Sequence, residues 1–79
     1  MTKTSIQKNI RLSSEFANYI SGNPRAFRRI PNGASIVITS SRDRALSDAN
    51  ISIARSSRSG KFIEAHKSDG RWRIRAFKK

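Results

Sequence analysis

Arg71, Arg73 and Arg75 occupy alternate positions in the run RWRIRA near the end of the chain. In an extended strand, alternate side chains leave one face, about 6.5–7 Å apart. That spacing resembles the separation of adjacent phosphates along a nucleic-acid strand, and a guanidinium fork suits phosphate better than an ammonium point charge. Lys78 and Lys79 extend the row. Arg25, Arg28 and Arg29 form a second basic cluster, and Arg42 and Arg44 a third. His66, the single histidine, and Lys67 beside it are expected to join these cations in contacting nucleic acid. One histidine can act as the general base of RNA cleavage, with Glu64 or Tyr19 as the available second acid–base group.

The bland reading of the same row is a solvated basic face, its field reduced where Glu64 pairs with Arg75 across two strands. Net charge weighs against blandness. Seventeen Lys and Arg against five acids give +12, and most of the cations are arginine. Such a balance favours association with polyanions. Other chemistries are poorly served. There is no cysteine, the acids are few and scattered, and no glycine-rich phosphate loop occurs, so neither a metal nor a cofactor is expected. Ser40-Ser41-Arg42 is at most a weak anion site ahead of a helix.

The elements that would position these residues follow from local pattern. Asp69-Gly70 is a strong two-residue hairpin signal, because a type I′ turn needs positive φ at both central residues. With that loop, Ser68 opposes Arg71, and the pairing runs back through Lys67–Trp72, His66–Arg73, Ala65–Ile74, Glu64–Arg75 and Ile63–Ala76 to Phe62–Phe77. Ile63, Ala65, Trp72, Ile74 and Ala76 then share a core face, and the arginines, His66 and Glu64 share the other. Trp72 is therefore a core residue, despite its flanking arginines. Phe62 and Phe77 fall on the arginine face, where they stack bases, lie under the first helix, or meet a second copy together with Val37.

Ser5 to Ser21 reads as a helix whose apolar stripe is Ile6, Ile10, Ala17 and Ile20, widened by Leu12 and Phe16. Glu15 is expected to pair with Lys8 or Arg11 along it. Gly22 serves as the helix stop, Asn23-Pro24 caps a short second helix carrying Phe27, and Ile30-Pro31 ends that helix. Ala34–Thr39 is a strand with Ala34, Ile36 and Ile38 on one side and Ser35, Val37 and Thr39 on the other. A third helix runs from a cap at Ser41 or Asp43 to about Ser57, stopped by Arg58-Ser59-Gly60. Asn50 interrupts its apolar stripe and is expected to bond a backbone group.

The fold expected is α/β (α+β): a two-layer α-α-β-α-β-β domain with a three-stranded mixed sheet, helices on one face, a right-handed crossover and a C-terminal hairpin. It forms a single domain over residues 1–79, with 1–4 and 78–79 as free ends. No apolar stretch approaches a membrane span and no secretion leader is present, so a cytoplasmic protein that does not enter membranes is expected.

At this point the run from Lys8 to Ile38 resembles the opening of a family of small bacterial α/β proteins classed as a domain of unknown function. The matching positions are Lys8-Asn9, Ser14, Glu15-Phe16, Tyr19, Pro24, Ile30-Pro31, Gly33-Ala34 and Ile36-Val37-Ile38, with a weaker match through Asn50 and Ala54. The resemblance implies a small α/β domain and brings no activity with it.

These readings lead to a small basic protein that contacts RNA or DNA through phosphates on an open sheet face. The alternatives are a protein-interaction module or homodimer that meets an acidic partner through the same face, and a His66-dependent ribonuclease.

Overall fold

The computed structural model describes residues 3–57 and 60–77. It has six elements: α1 (Lys3–Ser21), α2 (Pro24–Arg28), β1 (Ser35–Ser40), α3 (Arg44–Ser56), β2 (Phe62–Ser68) and β3 (Arg71–Ala76). The expected class is found: three helices and a three-stranded mixed sheet that ends in a hairpin. Lys78, Lys79, Arg58 and Ser59, to which the sequence reading gave roles, lie outside the described residues.

The hairpin forms in the expected register from Ser68↔Arg71 to Ile63↔Ala76. Its turn rests on Asp69 at φ 51° and Gly70 at φ 75°, the left-handed geometry that a two-residue loop requires. β2 is central, antiparallel to β3 and parallel to β1, with Ile38↔Ala65 and Thr39↔His66 in register. The Pro31–Gly33 turn delivers β1, with Gly33 at φ 78° and the Ala34 amide donating to the Pro31 carbonyl.

α1 backs the apolar face. Phe16, Ile38 and Ala65 are buried together, and Leu12, Tyr19, Ile20, Trp72 and Ile74 pack around them. Trp72 is thus a core residue, as its register requires. The buried stripe of α1 is rotated from the expected one. Leu12, Phe16 and Tyr19 stand at i, i+4 and i+7 and present more apolar area than Ile6, Ile10 and Ala17, which are left exposed. Asn23 precedes Pro24 as expected, but its side chain bonds backward to the Tyr19 carbonyl at 2.7 Å and makes no cap bond to α2. Gly22 does not take up positive φ, so Asn23 satisfies the end of α1 instead.

α3 lies along the outer edge of β1. Alternate β1 residues turn their backbone groups away from β2, and two polar side chains one turn apart on α3 meet them. Asn50 Nδ2 donates to the Ile38 carbonyl at 2.9 Å, and Ser47 Oγ accepts from the Ser40 amide at 2.8 Å. Asn50 also exchanges bonds of 3.1 and 2.7 Å with Asn9, which ties α3 to α1. Asp43 caps α3 by accepting from the Leu46 amide at 3.0 Å. That bond, with one from Lys8, holds its carboxyl below the ordinary aspartate value.

The same packing changes the β1 end of the polar face. Val37 and Thr39 are only 4% and 2% exposed, with Val37 beside Ile53, Ala54 and Phe62. The expectation that Val37 offers a stacking or dimer contact is therefore corrected: α3 has taken its surface. The open part of that face belongs to β2 and β3. Among the described residues, no helix is long and apolar enough to cross a membrane.

Candidate polyanion interface

Arg71, Arg73 and Arg75 leave β3 on the side away from α1 and are all exposed. Their surroundings differ. Arg75 Nε and Nη2 donate to the two carboxylate oxygens of Glu64 at 3.1 and 3.0 Å, a fork that fixes the guanidinium in place. Arg71 and Arg73 have no ion-pair partner among the described residues.

Glu64 is the hinge of a longer chain of bonds. Thr39 Oγ1 is 2.5 Å from Glu64 Oε2 and 2.7 Å from His66 Nδ1. A threonine hydroxyl has one proton to donate, and an ionised carboxylate can only accept. The proton therefore goes to Glu64, and Thr39 accepts from His66 Nδ1–H. In the neutral imidazole this leaves Nε2 as the basic nitrogen. Burial alone would raise the Glu64 carboxyl. The hydrogen bonds from Arg75 and Thr39, with the nearby positive charges, outweigh it and hold the group below its ordinary value. Arg75 is raised by its bond to Glu64, against the opposing effect of burial. Arg44, at the first turn of α3, lines the same hollow as Thr39, Glu64, His66 and Arg75.

Other residues expected at the interface lie elsewhere. Lys67 shares the face of Ala65, where it bonds Glu15 and lies 5.9 Å from the centre of the Trp72 ring. This corrects two expectations: Lys67 is absent from the arginine face, and Glu15 pairs across elements while Lys8 goes to Asp43. Strand alternation is the reason, since Lys67 is two residues from buried Ala65. Arg42 lines a separate cavity with Lys8, Arg11 and Lys67 at the end of the sheet. Arg28 sits with Arg25 around the α1–α2 turn, and exposed Arg29 follows α2. None of these three joins the row.

Phe62 and Phe77 pair with each other edge-on, with centroids 6.1 Å apart. Both are half-buried, and Phe62 lines a hollow with Asn9 and Ser13 of α1 and Asn50, Ile53 and Ala54 of α3. Thr39 is the residue that sequence reasoning missed. Its partnership with His66 depends on the parallel register, which the crossover fixes and no local motif announces.

The model of one protein family matches residues 4–75, and that family is described as a family of unknown function (DUF5647). No curated protein and no solved structure matches the chain.

Proposed function

Because the chain belongs to a family without an assigned activity, we propose from its own geometry that it is a small, cytoplasmic, basic protein that binds RNA or DNA through phosphates. Arg71 and Arg73 are the leading contacts, with Arg75, Arg44 and His66 flanking them. The observation that carries this reading is the pair of exposed guanidinium groups two positions apart on β3, without an ion-pair partner among the described residues, in a chain of net charge +12. Arg75 contributes less, since Glu64 already occupies its fork.

Binding of this kind is sequence-tolerant. Among the described residues the three helices pack against one another or the sheet and none projects to read base edges, and Phe62 and Phe77 are engaged with each other. Catalysis is not proposed for His66. Glu64 is bound to Arg75, and Tyr19 packs on the opposite face of the sheet, so neither serves as a partner acid. The test is a salt titration of binding to single- and double-stranded RNA and DNA. Log K should fall linearly with log salt, at a slope of about 0.7–0.9 per phosphate contacted. A flat slope overturns the reading.

A further inference from the structure

Away from the arginine face, the fold draws a second set of cations together. A cavity of about 340 Å³ opens at the carboxyl ends of the parallel strands β1 and β2. Lys8 and Arg11 reach it from α1, Arg42 from the β1–α3 loop and Lys67 from β2. Four like charges around one concavity repel each other unless acids or a bound anion offset them. Two of the four are offset. Lys8 Nζ bonds Asp43 at 3.0 Å, and Lys67 bonds Glu15. Arg11 and Arg42 have no ion-pair partner among the described residues. Asp69, exposed at the hairpin turn, is the other acid in the lining.

We propose that this cavity binds the phosphate of a small phosphomonoester, a ligand distinct from a nucleic-acid chain. Side chains supply the charge. The N-terminus of α3 lends little, since Asp43 already accepts from the Leu46 amide. One guanidinium fork fills a carboxylate, whereas a terminal phosphate offers three oxygens and about 1.5–2 negative charges at neutral pH. Arg11 and Arg42 provide two forks, and the Lys8 ammonium keeps further N–H donors beyond its bond to Asp43. A phosphodiester has given up oxygens to its ester links and fills this set less well.

The loop that presents Arg42 is held in place by its own bonds. The Ser41 amide donates to the Lys67 carbonyl at 3.0 Å and the Asp43 amide to the Ser40 carbonyl at 3.2 Å. The Arg42 amide donates to Ser40 Oγ at 3.3 Å. Such ties reduce the ordering cost of binding. Half-buried Leu12 gives the body of the ligand an apolar wall. The volume lies at the small end of the ~300–1,000 Å³ typical of small-molecule sites. The lining includes none of Arg71, Arg73 and Arg75, so the proposal does not rest on nucleic-acid binding.

The test is a titration of nucleic-acid-free protein with adenosine monophosphate, cyclic adenosine monophosphate and adenosine, read by calorimetry and by backbone amide shifts. The monophosphate should shift the amides of Ser41, Arg42, Asp43 and Gly70. It should bind about tenfold more tightly than the cyclic diester, the scale of one hydrogen bond to a charged group, and adenosine should not bind. Arg11→Gln and Arg42→Gln should each weaken the monophosphate by about tenfold, with an unchanged far-UV circular dichroism spectrum. Arg73→Gln, on the other face, should leave its affinity unchanged. Equal affinity for monoester and diester, or an equal loss in Arg73→Gln, overturns the proposal, because either would mark diffuse attraction to a chain of net charge +12. A monophosphate that does not bind overturns it too, as does full affinity in both Arg11→Gln and Arg42→Gln.

Discussion

Thr39 and His66 face each other across the parallel β1–β2 pair, with Thr39 Oγ1 2.7 Å from His66 Nδ1. The same buried hydroxyl holds Glu64, and Glu64 holds Arg75. One side chain on β1 therefore sets the posture of groups on both hairpin strands.

Thr39→Val keeps the volume and removes the link. We expect a loss of about 1–3 kcal/mol in urea unfolding, the range for a buried polar group left without its partner. Neutral His66 should also shift from the Nδ1–H tautomer toward Nε2–H, read from long-range nitrogen–proton correlations of the ring. An unchanged tautomer rules out the bond order assigned here.

The arginines of β3 should separate into two kinds. Arg71→Ala and Arg73→Ala are each expected to reduce the salt slope of binding by about 1, with stability changed by less than about 0.5 kcal/mol. Arg75→Ala should do the reverse, costing about 1 kcal/mol of stability through its half-exposed fork with Glu64 and altering the slope least. Equal effects from all three on both measurements would contradict the distinction.

Acid should weaken the fold partly through Glu64. Its carboxyl is lowered in the folded chain, so its stabilisation is present above the ordinary glutamate value of 4.5 and is lost as pH falls below that toward the folded value. Thermal midpoints measured from pH 7 downward should therefore fall less steeply for Glu64→Gln than for wild type, with Glu64→Gln already lower at neutral pH. Parallel curves would show that Glu64 is not a source of acid sensitivity.

Asn9 and Asn50 exchange two hydrogen bonds between α1 and α3. Asn50→Ala should cost more than Asn9→Ala, because it also abandons the Ile38 carbonyl at the β1 edge. A double-mutant cycle should return a coupling of about 0.5–3 kcal/mol. Additive losses would mean that the pair does not join the helices.

Local chemistry made much of this legible. Asp69-Gly70 fixed the hairpin register, and that register alone sent Trp72 inward and the arginines outward. Asn50 as a backbone ligand was also readable from one side chain and its own helix, and the α3 cap was readable as Ser41 or Asp43, of which Asp43 takes the role. What failed depended on contacts between distant segments. The α1 stripe was rotated because Phe16 found Ile38 and Ala65, and Val37 was buried because α3 came to the edge of β1 instead of leaving that face bare. Lys67 has the charge of an interface residue, but it stands two positions from Ala65 on β2 and so shares the core face.

Among the described residues β3 has a neighbouring strand on one side only, so its outer backbone groups meet no strand there. The β1 edge is shielded by Ser47 and Asn50, but β3 has its arginines instead. Two such strands approaching edge to edge would set like charges against each other, and charge on an edge strand is one of the means by which open sheets avoid aggregation. A ligand that neutralises the row removes that protection. Bound polyanion should therefore make the chain more prone to sheet extension, and its solubility should reach a minimum near charge balance with the ligand.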